Sequence, residues 1–423
     1  MNTSRSIFLS YSLGEVVAKG LNLLLVFVLP FLLTQEEFGR IALLMATEAI
    51  GFVLISGGGG PTFLRLYGRL KKYPHVFLLS ACLGWLSWAL PATLLLFTAC
   101  SVILTKSSND GSQHLLNLVL AIHILFLAFR ENVFSILRIE ANIRLYLALK
   151  ILAHSAKFLL AITLTQSIGA EEGYVWACLI SNLIGFATLI SYGRQLLHKR
   201  HRFNRVIAGK VLQFGAPLLL SGLSIATMSF GDRFLLEWRL GSKEVAIYSL
   251  ASSVAGANFF LLNMLTLTCL PNLFSFKRFC TESARYLRKM TTWGIACVLG
   301  TSVFLYFLFM IVGEFYLPDY NKGLPIMPIL LAKFGLLPLF LHGQYILMLN
   351  SRTGSLPAIS FLACSLNVGL NWLWVSLFGI VGAAWASLIS ESCSVIAVNA
   401  IAYRSVALAT SIRAAHGRSK LLM

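Results

Sequence analysis

Gly173-Tyr-Val-Trp176-Ala177-Cys-Leu179-Ile180-Ser181 recurs later in the chain as Gly382-Ala-Ala-Trp385-Ala386-Ser-Leu388-Ile389-Ser390. A second stretch, Thr34-Gln-Glu-Glu37-Phe-Gly-Arg-Ile-Ala-Leu43, recurs as Gly241-Ser-Lys-Glu244-Val-Ala-Ile-Tyr-Ser-Leu250, and the two offsets differ by only two residues. Two matches in one order and at nearly one spacing are hard to obtain by chance. They divide the chain into two related halves.

Both halves are made for lipid. Hydrophobic residues are 57% of the 423 and charged residues only 12%, with a mean hydropathy of +0.79. No water-soluble globular surface accommodates that composition. Apolar runs of about 20 residues recur along the whole length, each long enough to cross a hydrocarbon core as a helix. They lack the alternation of membrane barrel strands. The spans fall near 7–33, 41–58, 76–104, 114–137, 145–166, 172–193, 211–237, 245–274, 291–313, 325–349, 356–377 and 380–403. The expected fold is therefore an all-α integral membrane protein of about twelve transmembrane helices in two pseudo-symmetric six-helix lobes. An even number of spans per half leaves both lobes in one orientation. The expected divisions are an N-terminal lobe 1–193, a basic connector 194–210, a C-terminal lobe 211–404 and a tail 405–423.

The formal charge of +18 does not indicate nucleic acid, because the basic residues lie in short segments between apolar runs. Most of the 34 Lys and Arg fall in alternate segments, densest between Arg194 and Lys210, and only Arg40, Lys106, Arg239, Lys243 and Lys322 lie in the opposite loops. That bias predicts that both termini and the connector are cytoplasmic. The early run around Glu15 and Lys19 is read as a first span, since no small-residue cleavage site follows it. The eight Cys are scattered without metal-ligand spacing and are expected to be small core residues.

Lys210-Val-Leu-Gln-Phe-Gly-Ala-Pro217, Gly231-Asp232-Arg233-Phe234 and Leu240-Gly241-Ser-Lys-Glu244-Val-Ala-Ile-Tyr248-Ser resemble bacterial O-antigen and polysaccharide repeat-unit flippases. These belong to the multidrug/oligosaccharidyl-lipid/polysaccharide exporter superfamily. Thr34–Gly39, Leu137-Arg-Ile-Glu-Ala141 and Gly379-Ile-Val-Gly-Ala-Ala384 extend the resemblance over nearly the whole chain. Gly57-Gly-Gly-Gly60 and Leu218-Leu-Leu220 depart from it. The resemblance implies a carrier in the bacterial inner membrane that moves an undecaprenyl-diphosphate-linked oligosaccharide to the periplasmic leaflet by alternating access. It also implies membrane lipid, a polysaccharide polymerase and a chain-length regulator as partners, and no cofactor. A protein is needed because sugar hydroxyls and diphosphate lose several kcal/mol per unsatisfied group in hydrocarbon.

Ionisable groups inside spans are costly and usually face a cavity, so they are the candidate site. The bases Lys19, Arg130, Lys157, Arg233 and Lys333 are expected to bind the anionic substrate as a ladder, with Arg130 low, Lys19 and Lys157 central, and Arg233 and Lys333 high. The acids Glu15, Glu48, Glu131, Asp232 and Glu391 are expected to be coupling groups or structural charge partners. Glu15 and Lys19 stand one turn apart in the favourable order. Glu48 and Glu391 have no basic neighbour within a turn, which makes each a candidate for proton coupling or for pairing with another helix. His123, His154 and His342 lack ligand spacing and are expected to be hydrogen-bonded core residues, with no metal site. Trp85, Trp88, Trp372 and Trp374 are expected to mark membrane interfaces. Two rival functions are a drug or toxin cation antiporter of the same superfamily and a membrane enzyme acting on lipid-linked sugars. Motif order favours the first reading over the antiporter. Short loops and the lack of any nucleophile or metal motif disfavour the enzyme.

Overall fold

The computed structural model describes residues 2–60, 62–63, 74–103, 111–139, 143–197, 204–276 and 279–420, and they contain helices and no strand. The chain groups into two compact units, Met1–Phe234 and Leu235–Met423. The first holds α1 (Asn2–Leu32), α2 (Gln35–Ser56), α3 (Pro74–Ile103), α4 (Gly111–Ile139), α5 (Ile143–Ser167), α6 (Ala170–Leu197) and α7 (Arg205–Phe230). A short α8 (Asp232–Leu240) follows. The second unit holds α9 (Ser242–Phe274), α10 (Thr281–Phe315), α11 (Met327–Gly335), α12 (Leu337–Leu349) and α13 (Leu356–Lys420).

Nine stretches among the described residues are long and apolar enough to span a bilayer, and Val16–Leu32 is a shorter one. The last of the nine, Thr353–Ala407, has 55 residues and would measure about 80 Å if straight, far more than one crossing needs. It breaks at Gly379, whose φ of 59° and ψ of −138° only glycine adopts without strain. Counting its two limbs separately, and adding both Val16–Leu32 and α6, gives the twelve spans expected from the sequence. The protein is a multi-pass membrane protein.

The repeated stretches have a structural counterpart. Gly173 opens the first copy, and a Cβ there would run into the Leu164 carbonyl; Gly382 opens the second, and a Cβ there would run into the Trp374 carbonyl. In each half a helical hairpin is thus closed by a glycine that lets two backbones touch, as small residues do between membrane helices. Gly169 (φ 112°) turns the first hairpin as Gly379 turns the second. The other repeat begins helices in both halves. Thr34 accepts from the Glu37 N–H while Glu37 accepts from the Thr34 N–H at 2.9 Å, a capping box that starts α2 directly after α1.

The end of α2 shows why Trp85 departs from the expectation. The indole of Trp88 donates to the Leu54 carbonyl at 2.8 Å and that of Trp85 to the Ser56 carbonyl at 3.2 Å. Trp85 is only 2% exposed. It satisfies a carbonyl that the end of a helix leaves without a partner and is not an interface marker. Trp372 is half exposed and stacks on Trp238 at 5.0 Å, with the Arg239 guanidinium over both rings. Of the cysteines, Cys100 and Cys178 are buried as expected, whereas Cys280 and Cys393 are exposed.

Candidate functional site

Polar side chains in the first unit line up at helical spacing. Tyr174, Cys178 and Asn182 share one face of α6, His123 and Arg130 one face of α4, and Lys150, His154 and Lys157 one face of α5. α2 brings Glu48 into the middle of them.

Glu48 is the hub. Lys157 Nζ lies 3.0 Å from both of its carboxylate oxygens, and the Tyr174 hydroxyl donates to Oε2 at 2.9 Å. Cys178 Sγ lies 4.0 Å from Oε2, and His123 Nε2 lies 3.5 Å from Oε1. The Lys157 ammonium also sits over the Tyr174 ring at 5.3 Å, which adds a cation–π contribution. Both side chains of the pair are mostly removed from solvent, at 14% and 15% exposure.

The network continues from His123. Asn182 Nδ2 lies 2.7 Å from His123 Nδ1, and Arg130 Nη1 donates to Asn182 Oδ1. Arg130 Nη2 reaches Glu131 Oε1 at 3.4 Å, and Lys150 Nζ lies 3.7 Å from Glu131 Oε2. Phe134 lies beneath both cations. Arg130 Nε is a buried donor with no hydrogen-bond partner among the described residues. His154 Nδ1 bonds the Lys150 carbonyl at 2.8 Å, and His342 Nδ1 lies 2.8 Å from the Thr291 hydroxyl. All three span histidines are therefore hydrogen-bonded, but only His123 is a core residue, His154 and His342 being half-buried.

Glu48, His123 and Cys178 offer three atoms within 4.8 Å of one another, close enough for a metal ion. Their existing bonds do not suit one. Lys157 already lies on both Glu48 oxygens, and Asn182 holds His123 so that its Nε2 bears the ring proton, as argued below.

The other expected residues are placed as follows. Lys19 is exposed on α1, and the Glu15 side chain lies outside the described residues, as do residues 198–203 of the connector. Asp232 and Arg233 are buried at the joint between α7 and α8, with the Arg233 guanidinium 4.8 Å above the Phe230 ring. In the second unit Lys333 and Glu391 are both buried. Lys333 is the base that acts on Glu391, although no ion pair joins them within 4.0 Å. Glu391 follows Ser390 as Asn182 follows Ser181, so the two occupy one position in the repeat. The same unit holds a groove of about 450 Å³ lined by Arg288, Thr291, His342, Asn399 and Tyr403 among others.

Sequence reasoning did not single out Lys150, Tyr174, Cys178 or Asn182 as site residues. Lys150 was counted with a basic loop, yet it is 4% exposed. The polar stripe 174–178–182 on an apolar helix was the signal available for the other three.

This is the fold of a membrane transporter. An inward-facing multidrug resistance transporter of the MATE family, MOP superfamily, superposes with a TM-score of 0.71 at 17% identity, over 92% of this chain and 95% of that one. The lipid II flippase MurJ in an inward closed conformation gives a TM-score of 0.75 at 14% identity, over 92% of this chain and 86% of that one. A MOP superfamily transporter from Pyrococcus furiosus Vc1, described by the reverse polarity of its binding pocket, gives 0.57 at 14% identity, over 95% and 96%. No curated protein matches the chain in sequence. The model of the polysaccharide biosynthesis protein family matches residues 6–277. The chain belongs to that family.

Proposed function

We propose that this protein is a flippase that carries an undecaprenyl-diphosphate-linked oligosaccharide from the cytoplasmic to the periplasmic leaflet of the bacterial inner membrane. It works by alternating access of lobes 1–193 and 211–404, with 194–210 between them, and performs no covalent chemistry. Lys19, Arg130, Lys157, Arg233 and Lys333 are its substrate-binding cations.

One observation carries this reading over a cation antiporter. The buried network of the first unit sets three cations, Arg130, Lys150 and Lys157, against two carboxylates, Glu48 and Glu131. The excess positive charge inside the membrane favours an anionic ligand, and a diphosphate oxygen accepts well from guanidinium N–H groups. Arg130 Nε carries a proton that no acceptor among the described residues takes. Membership of a polysaccharide biosynthesis family points to the same substrate class.

Energy is drawn from the membrane, since the chain contains no G-x-x-x-x-G-K-[ST] nucleotide loop. An inside-negative potential contributes about 2.3 kcal/mol per charge per 100 mV to outward movement of an anionic headgroup. A proton returning through Glu48 or Glu391 resets the carrier. In reconstituted vesicles, lipid-linked oligosaccharide should cross faster, and to a more asymmetric distribution, with an imposed potential and proton gradient. Equal rates and equal final distributions with and without them would refute the coupling; chemical change of the lipid would indicate an enzyme.

The orientation has its own test. Both termini and the connector are cytoplasmic by the charge bias, so alkaline phosphatase fused after Arg205 should be inactive. An active fusion in fully inserted protein would reverse the topology.

A further inference from the structure

The hydrogen bonds around Asn182 leave little freedom in where protons sit. Arg130 can only donate, so the amide atom it meets is the Asn182 oxygen. The Nδ2 group, which also only donates, therefore faces His123 Nδ1 at 2.7 Å. That ring nitrogen must accept, so the proton of the neutral ring is on Nε2 and points toward Glu48 Oε1, 3.5 Å away. Nε2 makes no hydrogen bond among the described residues, Glu48 Oε1 standing just beyond reach. Glu48 thus accepts from Lys157 at both oxygens and from Tyr174 at Oε2, and His123 Nε2 stands 3.5 Å from Oε1. The charged groups acting on the ring are Glu48 from α2, Lys157 from α5 and Arg130 from its own helix, with the Cys178 thiol nearby on α6.

We propose that Asn182 is a positioning residue that links phosphate-anion binding at Arg130 to proton uptake at Glu48, by dictating which nitrogen of His123 bears the proton. When an anion draws Arg130 away, Asn182 Oδ1 loses its donor and the amide turns over. Oδ1 then accepts from a protonated His123 Nδ1. The Nε2 proton passes to Glu48, breaking N–H and forming O–H, and a proton from the water phase takes the place on Nδ1. The ring ends neutral, the carboxylate becomes a carboxylic acid, and the net change is one proton gained. Lys157 then loses its counter-charge and becomes a second cation for the anion. The link to phosphate rests on the flippase reading; the control of His123 by Asn182 does not.

The test uses full-length protein in nanodiscs with 15N-labelled histidine, the His123 signals being assigned by their loss in His123→Gln. Protonated and bare ring nitrogens have widely separated 15N shifts. Wild type should show a bare Nδ1 and a protonated Nε2. Inorganic diphosphate should exchange the two in wild type and should have no effect in Arg130→Gln. Asn182→Asp, which presents only acceptors, should give a protonated Nδ1 without diphosphate. A bare Nδ1 persisting in Asn182→Asp would overturn the relay. A wild-type tautomer indifferent to diphosphate would overturn its link to the anion, and that arm needs no variant beyond the His123→Gln used for assignment. Leaflet transfer measured on the same wild-type preparation tests the flippase reading separately.

Discussion

Glu48→Gln is expected to lose about 3 kcal/mol of stability and nearly all transport. The substitution leaves the Lys157 ammonium in a largely enclosed place without its counter-charge, and removing one partner of a buried pair costs about 3 to 5 kcal/mol. The partial exposure of both side chains places the value at the lower end. Lys157→Ala should behave similarly, since it strips the carboxylate of a donor that reaches both oxygens. The double variant Glu48→Gln/Lys157→Gln separates structure from function. With neither charge of the pair left unmatched, it should regain most of the lost stability, because replacing both members of such a pair is often nearly neutral. Its transport should stay lost. Denaturant midpoints and leaflet transfer in vesicles measure the two quantities, and a double variant transporting at the wild-type rate would reduce the pair to a structural role.

The second large effect concerns the hairpin glycines. Gly173→Ala and Gly382→Ala each push a methyl group into a neighbouring backbone carbonyl, at Leu164 and Trp374. Backbone cannot swing aside as a side chain can, so both helices must separate, at a cost of about 3 kcal/mol or somewhat less. Gly300→Ala is the control, because a Cβ there meets nothing within 4 Å and alanine favours the helix by up to about 1 kcal/mol. The hairpin variants should give a lower thermal midpoint and less monodisperse protein, and the control neither. Equal midpoints for Gly382→Ala and Gly300→Ala would show that the helices do not approach so closely.

Much of the fold was legible because the membrane imposes it. Apolar run length gave the spans, and the repeat gave two related halves, down to the glycines that open one pair of matching stretches. The residues of the site were only partly legible. Glu48 and Lys157 could each be chosen as ionisable groups within spans, but their pairing joins residues 109 apart in sequence, and hydropathy does not tell how each helix is rotated. Lys150 was misjudged for a related reason: being near a span end does not say whether a long side chain turns to water or inward onto Phe134 and Tyr146. Trp85 was misjudged because its carbonyl partner depends on where α2 stops.

The two glycine-closed hairpins also bear on how the chain enters the bilayer. Leu164 touches Gly173, and Trp374 touches Gly382, so each contact joins residues only a few positions apart. The loop entropy to be overcome is small, and contacts of such short range form early. Each pair of helices can therefore associate as soon as its second member has left the ribosome and reached lipid. The duplicated halves then supply two locally determined seeds for assembly, and the pairing of Glu48 with Lys157 can form only once the hairpin of α5 and α6 has brought Lys157 up to Glu48 on α2.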